Sequence, residues 1–425
     1  MIRANDPNLR SWVEVPEGSD LSIQNLPFGV FRRAGLSPRA CTAIGEQVAD
    51  LHVLWEHGFF DDLELPEAIF HRPYLNDFIA LGRLAARAVR NRLSEILDDD
   101  LERWDASELA DYFLHPRSEV ELLLPVRIGN YTDFYSSREH AVNVGRLFRD
   151  PERALLPNWR HLPVGYHGRA SSIVVSGRPI RRPWVQSTPP APGAAPGFGP
   201  SCALDYELEV AFITTGGPPL GEAIPVGAAE AHIFGLVLFN DWSARDLQRW
   251  EYQPLGPFLG KSFASTISPW VVTLDALQPF RCTGPTQDPT PLPYLRTTGE
   301  QAYDMELEVA LQAGDAAPHP VGRSNFRYLY WNMPQQLAHQ TVNGCNIQAG
   351  DLYASGTISG PEPANYGSLL ERTKNGATPL QLPDGAERRF LEDGDRVILR
   401  GWCERNGVRI GFGEAAGVIL PARAE

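Results

Sequence analysis

The stretch Leu204-Asp-Tyr-Glu-Leu-Glu-Val-Ala-Phe212 decides how this chain is read. Polar and apolar residues alternate along it, as in a strand with two unlike faces. Glu207 and Glu209 then point one way, while Tyr206, Leu208, Val210 and Phe212 point the other. Two like charges side by side raise the energy unless a cation lies between them. The spacing therefore predicts a bound divalent metal.

Further acidic groups lie on either side of this stretch. Ile233-Phe-Gly-Leu-Val-Leu-Phe239 is a continuous apolar run of strand length, and it predicts a buried strand that delivers Asn240 and Asp241 at its end. Ser243 followed by Asp246 has capping-box spacing and predicts a helix to Tyr252, stopped by Pro254. Arg245, Gln248 and Tyr252 share one face of that helix, opening beside Asp241. Upstream, Asn130-Tyr-Thr-Asp-Phe-Tyr-Ser-Ser-Arg-Glu-His140 is dense in groups able to orient a ligand. Asp133 is a candidate fourth metal ligand and His140 a candidate base. Alone, either reads as a turn former or a satisfied surface group; their weight comes from company.

A chain of 425 residues exceeds one ordinary core and predicts two domains. Hydrophobic content of 43% is ample for folding, and a net charge of -14 argues against a nucleic-acid surface, which needs a basic stripe. No run of about 18 apolar residues occurs and the first residues lack the apolar core of a signal peptide, so the expectation is a soluble, cytosolic protein that does not meet a membrane. The five cysteines are scattered without a Cys-x-x-Cys pair, as reduced thiols would be. Abundant Gly (38) and Pro (37) suit turn-rich β structure.

Ser37-Pro38, followed by apolar residues at helical spacing, predicts a helix from Ser37 to His57. Asn76 to Leu97 repeats the pattern and runs into Asp98-Asp99-Asp100, read as a solvated helix end. After His115-Pro116 short β-like runs take over, so the domain boundary is expected between 116 and 125. The Pro-rich stretch 187–200 reads as a surface loop. Met305-Glu-Leu-Glu-Val-Ala310 echoes Tyr206 to Ala211, again after an Asp. It reads as a duplicated metal strand or as an amphipathic strand with a solvent-facing acidic side, and no Asn-Asp-Trp-like partner follows it. Gly256 to Ser262 resembles a phosphate loop, but it is one residue short and Pro257 removes a donor, so no nucleotide site is expected. His161 and His167 are read as a structural or substrate-side pair in preference to zinc ligands.

Several longer motifs occur in one order: Asp133-Phe-Tyr-Ser-Ser-Arg-Glu-His140, Leu162-Pro-Val-Gly-Tyr-His-Gly-Arg-Ala-Ser-Ser172, Asn240-Asp-Trp-Ser-Ala-Arg-Asp246, Pro254-Leu-Gly-Pro-Phe-Leu-Gly-Lys-Ser262 and Ala354-Ser-Gly-Thr-Ile-Ser-Gly-Pro-Glu362. In these the chain resembles the fumarylacetoacetase family. The resemblance implies an α+β, mostly β protein: a small N-terminal SH3-like β-barrel domain with helices (1–120) and a C-terminal mixed β-sandwich roll that carries the site (121–425). It implies Mg2+ or Ca2+ held by Asp133, Glu207, Glu209 and Asp241, an all-oxygen set that disfavours zinc. It further implies His140 as base oriented by Glu371, Arg245, Gln248 and Lys261 as oxyanion donors, and Tyr135, Arg149, Tyr166, Tyr252 and Thr357 as substrate contacts. Ala264-Ser265 stands where the family usually has Gly-Thr. A homodimer is implied as well.

The implied reaction is hydrolysis of the carbon–carbon bond of 4-fumarylacetoacetate to fumarate and acetoacetate, the last step of tyrosine and phenylalanine breakdown. Water attacks one carbonyl of a 1,3-diketone while a carbanion leaves, which calls for a positive centre, a base for the water and donors for the oxyanion. Counting four carboxylates, a divalent ion, Arg149, Arg245 and Lys261 gives an inner site of about +1, suited to a diketo dicarboxylate. Rival readings are a decarboxylase, hydratase or acylpyruvate hydrolase on the same scaffold, and a non-catalytic binding protein stabilised by its metal.

Overall fold

In the computed structural model, which describes residues 2–100 and 106–424, three layers stack and the middle one carries the acidic residues. That layer is a sheet in the order Gly165–His167, Tyr131–Phe134, Ala349–Ala354, Leu208–Thr215, Ile233–Asp241, Ser265–Ile267 and Ile173–Val175, with Val272–Thr273 added to Ile233–Asp241 off the main path. Its centre is antiparallel. Ala349–Ala354 runs parallel to Tyr131–Phe134, and Ser265–Ile267 parallel to Ile173–Val175.

One face of this sheet packs on a second sheet, ordered His319–Asn325, Glu306–Gln312, Arg396–Arg405, Val408–Leu420 and Ile180–Arg181. The core between them takes Leu208, Val210 and Phe212 from one side and Leu307, Val309, Leu311, Val397 and Leu399 from the other. The opposite face contributes Ala211, Ile213, Val237 and Phe239 to another core, shared with Phe28, Val30, Phe78 and Val89 of the N-terminal layer. The middle sheet is thus buried on both sides, which is why Ile233 to Phe239 is apolar without interruption.

The N-terminal layer is an antiparallel sheet, ordered Leu114–Pro116, Gln47–Asp50, Arg39–Ile44, Phe28–Arg32 and Glu121–Leu122, with the helices Leu51–Glu56, Asn76–Ala80 and Gly82–Ile96. Asp275, in the helix Leu274–Leu277, ties this layer to the rest by accepting from Arg83 at 2.7 Å and from Arg87.

The helix expected from Ser37 to His57 is not formed. Arg39–Ile44 and Gln47–Asp50 are paired strands, and the helix begins only at Leu51, capped by Asp50 accepting from the backbone of His52 and Val53. Burial at period two overrides the helical spacing: Ala40 and Ile44 enter one core, Cys41 and Ala43 another. Gly45 makes the turn at φ +56, where a Cβ would lie 2.3 Å from the Glu14 carbonyl oxygen. The second expected helix is present in two pieces. Its acidic end is not wholly solvated, since Asp98 is buried and paired with Arg3.

Candidate active site

Four carboxylates converge under the middle sheet. Asp133 comes from Tyr131–Phe134, Glu207 from just before and Glu209 from the start of Leu208–Thr215, and Asp241 from the end of Ile233–Asp241. One oxygen from each lies within 4.8 Å of the others, and all four residues are buried. Ligands on opposite sides of a Ca2+ or Mg2+ ion stand about 4–5 Å apart, so the spread matches one hard cation. Strand pairing breaks after Asp205, and Glu207 lies in a single bridge to Ser368 rather than in a continuous strand. Both glutamates still point into one cluster, as the alternation predicts.

Neighbouring groups treat the four carboxylates unequally. Lys261 Nζ donates to Glu207 Oε2 at 2.6 Å and Asp241 Oδ2 at 2.7 Å, and Arg245 Nη1 pairs with Glu207 Oε1 at 2.7 Å. Burial alone would raise Glu207, but these two cations win and hold its carboxyl well below the usual range. Asp241 also accepts from Tyr166 Oη at 3.1 Å and Ser265 Oγ at 3.0 Å. Glu209 accepts from the backbone N–H of Gly356 at 2.9 Å. Gly356 has φ +76, and a Cβ there would sit 2.1 Å from the Phe134 carbonyl oxygen, so only glycine lets this N–H reach the cage. Burial, then the neighbouring negative charges, push Asp133 and Glu209 upward. Asp133 Oδ1 and Glu209 Oε1 are buried with no partner, as is the nearby Tyr131 hydroxyl. Orphaned oxygens inside a crowd of carboxylates are what a divalent cation would satisfy. The residues present fit the metal.

Beside the cage, the helix Arg138–Phe148 carries His140, whose Nδ1 lies 2.7 Å from Glu371 Oε2. Asn143 donates to Glu371 Oε1, and Ser359 and Ser368 to Oε2, each at 2.9 Å. Burial works against the charge on Glu371, but His140 and these donors outweigh it and lower the carboxyl below its ordinary value. The pair fixes Nδ1 as a donor and leaves Nε2 to take a proton. Tyr135 packs edge-on to the imidazole, centroids 5.4 Å apart.

Gln248 Oε1 accepts from Arg245 at 3.1 Å, leaving its amide nitrogen free to donate. Lys261 spends two of its three N–H groups on carboxylates and keeps one. Thr357 is buried with its hydroxyl unpartnered. Arg149 and Tyr252 are exposed, at the C-terminal caps of their helices. The expected inner charge of about +1 is therefore corrected: Arg149 is exposed at the rim, and buried Asp205 pairs with Arg245. Six buried carboxylates, Glu371 included, against Lys261 and Arg245 leave -4, or -2 with a divalent ion.

Ser243 does not cap the helix Arg245–Glu251; its hydroxyl donates to the Asp241 carbonyl, and Asp246 instead accepts from Ser201 and from the Cys202 N–H. Gly256 to Ser262 folds as a loop and one helical turn that aims Lys261 inward. His161 and His167 are both exposed, and among the described residues the four carboxylates are the one group able to hold a metal. Sequence reasoning missed Asp205, Asn143, Ser359 and Ser368. Ser368-Leu-Leu-Glu371 has capping-box spacing and would have drawn attention to Ser368.

Sheet sandwich and cage together define a class: enzymes of the fumarylacetoacetate hydrolase fold, which depend on a metal. A family model described as fumarylacetoacetase N-terminal matches residues 24–125, and one described as fumarylacetoacetate (FAA) hydrolase C-terminal matches residues 130–418. The human fumarylacetoacetase is 52% identical over 97% of this chain and 99% of its own length, and that of Dictyostelium discoideum is 50% identical over 97% and 98%. A solved fumarylacetoacetate hydrolase from Exiguobacterium antarcticum is similar in fold, with a TM-score of 0.52 at 18% identity over 94% of this chain and 100% of that one. The chain belongs to the fumarylacetoacetase family and is a hydrolase.

Proposed function

We propose that this enzyme hydrolyses the carbon–carbon bond of 4-fumarylacetoacetate, yielding fumarate and acetoacetate. The observation that carries the reading is the meeting of four buried carboxylates, a His–Glu pair and free amine and amide donors around one buried cluster. Asp133, Glu207, Glu209 and Asp241 would hold Mg2+ or Ca2+. Such an ion supplies an electron sink for the diketone when bound.

His140 Nε2 takes a proton from water, and the hydroxide oxygen bonds to one carbonyl carbon. Glu371 holds Nδ1–H throughout and favours the imidazolium that results. Lys261, Gln248 and Arg245 stabilise the oxyanion, a task in which one lost donor commonly costs about 10²–10³ in rate. The carbon–carbon bond then breaks, its electron pair leaves with the departing carbon, and the proton held by His140 is available to it. Tyr135, Tyr166 and Thr357 line the inner site, and Arg149 and Tyr252 meet the far end of the substrate at the rim.

The finer architecture belongs to the same reading. The N-terminal layer is taken as an SH3-like barrel domain, 1–120, and the remainder, 121–425, as the catalytic roll. The jump from Glu121–Leu122, the last strand of the first sheet, to Tyr131–Phe134 in the middle one supports two units, with that last strand falling two residues past the expected boundary. Five unpaired cysteines support a reducing, cytoplasmic setting, and no helix among the described residues is long and apolar enough to cross a membrane. Exposed Trp250, Leu255, Phe258 and Leu259 support a homodimer, which sedimentation would test.

The direct test is incubation of the purified protein with fumarylacetoacetate, with and without a chelator. Fumarate and acetoacetate from the metal-replete sample alone are expected; other products would favour a decarboxylase, hydratase or acylpyruvate hydrolase, and none a binding protein.

A further inference from the structure

Asp205 belongs to no part of the chemistry described, yet it is completely buried and its carboxylate is hydrogen-bonded on every side. Oδ2 accepts from Arg245 Nε at 2.9 Å and from the Leu370 N–H at 3.0 Å. Oδ1 accepts from the N–H groups of Leu369 and Tyr206, each at 2.8 Å. Leu369 and Leu370 open the helical turn Leu369–Arg372, which carries Glu371. One carboxylate therefore grips both the guanidinium that pairs with Glu207 and the turn that presents the partner of His140. Arg245 otherwise bonds to Glu207 and Gln248, so Asp205 is what ties its guanidinium to that turn.

We propose that Asp205 is a positioning residue that sets the base pair His140–Glu371 in register with the donor Arg245. The inference rests on the roles given to those residues under Proposed function. Every donor around Asp205 is an N–H, so each needs an acceptor and none can turn away. An amide in its place would aim an N–H at another N–H, and either the guanidinium or the helical turn must move. A displacement of about 1 Å in such a constellation costs roughly 100-fold in rate. Asp205 touches no substrate, so the loss should fall on kcat and leave KM nearly unchanged.

The experiment is a double-mutant cycle on the metal-replete enzyme, with Asp205→Asn, Glu371→Gln and the combination, each checked for folding by circular dichroism and thermal melting. Glu371→Gln alone tests the function beneath: full turnover there would remove the role of the base pair, whatever Asp205 does. Given a loss in Glu371→Gln, the expected result is that Asp205→Asn lowers kcat roughly 100-fold, and that adding it to Glu371→Gln lowers kcat much less than that. Unchanged kcat in folded Asp205→Asn, or losses that multiply in full, would overturn the inference. If Asp205→Asn does not fold, Asp205→Ser leaves room for a bridging water and is carried through the same cycle, where the same losses support the inference and the same results overturn it.

Discussion

Two strands of this molecule are written almost alike. Asp205-Tyr-Glu-Leu-Glu-Val-Ala211 and Asp304-Met-Glu-Leu-Glu-Val-Ala310 lie in the facing sheets of the sandwich, and both drive their leucines and valines into the common core. Their acidic faces differ most at the second glutamate. Glu308 sits in register opposite Arg323 on one side and Arg400 on the other, and both guanidiniums pair with it. Glu306 is exposed and accepts from Asn325. Glu209 faces no arginine: Phe239 lies opposite, and its neighbours in the cavity are Asp133, Glu207 and Asp241. The repeated motif encodes a strand with an acidic side; what stands across from it decides between a neutralised surface and a cation site.

The largest effect should separate the two strands outright. Glu209→Gln is expected to abolish measurable Mg2+ or Ca2+ binding in calorimetry and to lower turnover by about 10³ or more, while Glu308→Gln leaves both at the level of the parent protein. Loss of ion binding in Glu308→Gln would break the comparison. Next, His140→Ala should cost about 10²–10⁴ in kcat with ion affinity and circular dichroism unchanged, separating the base from the cage.

A smaller effect probes the paired strand. Removing Arg323 and Arg400 together leaves Glu308 buried without a counterion, and denaturant unfolding should report a loss of about 1–2 kcal/mol, held down because Arg323 is 65% exposed. Turnover per folded molecule should not move. The smallest effect concerns Asp275, which like Glu308 is held by two arginines. Burial opposes its charge, but Arg87 and Arg83 prevail and keep it below its ordinary value of 3.8. A depressed carboxyl contributes stability that is present above that ordinary value and is lost as pH falls through the lower folded one. Unfolding midpoints should therefore drop below about pH 4 more steeply in the parent protein than in Asp275→Asn.

How much of this was legible in the sequence follows from how local each signal was. The cage could be read because alternation at Glu207 and Glu209 and the apolar run before Asp241 are short-range patterns. The helix expected at Ser37 to His57 failed because its residues are buried on two faces by partners far away in the chain, and helical spacing alone does not register that. Asp205 was visible but passed over, since its partners at 369 and 370 lie far along the chain. The inner charge was overcounted for a similar reason: nothing near Arg149 in sequence says that its helix ends at the surface.

The order of strands in the middle sheet also bears on how the protein is made. Ala349–Ala354 slots between Tyr131–Phe134 and Leu208–Thr215, and it is followed by Gly356, Ser359 and Glu371. A ribosome has therefore synthesised most of the chain before the slot can be filled. Until then the growing polypeptide exposes two unpaired strand edges with a half-built cavity between them, a period in which chaperones have most to protect.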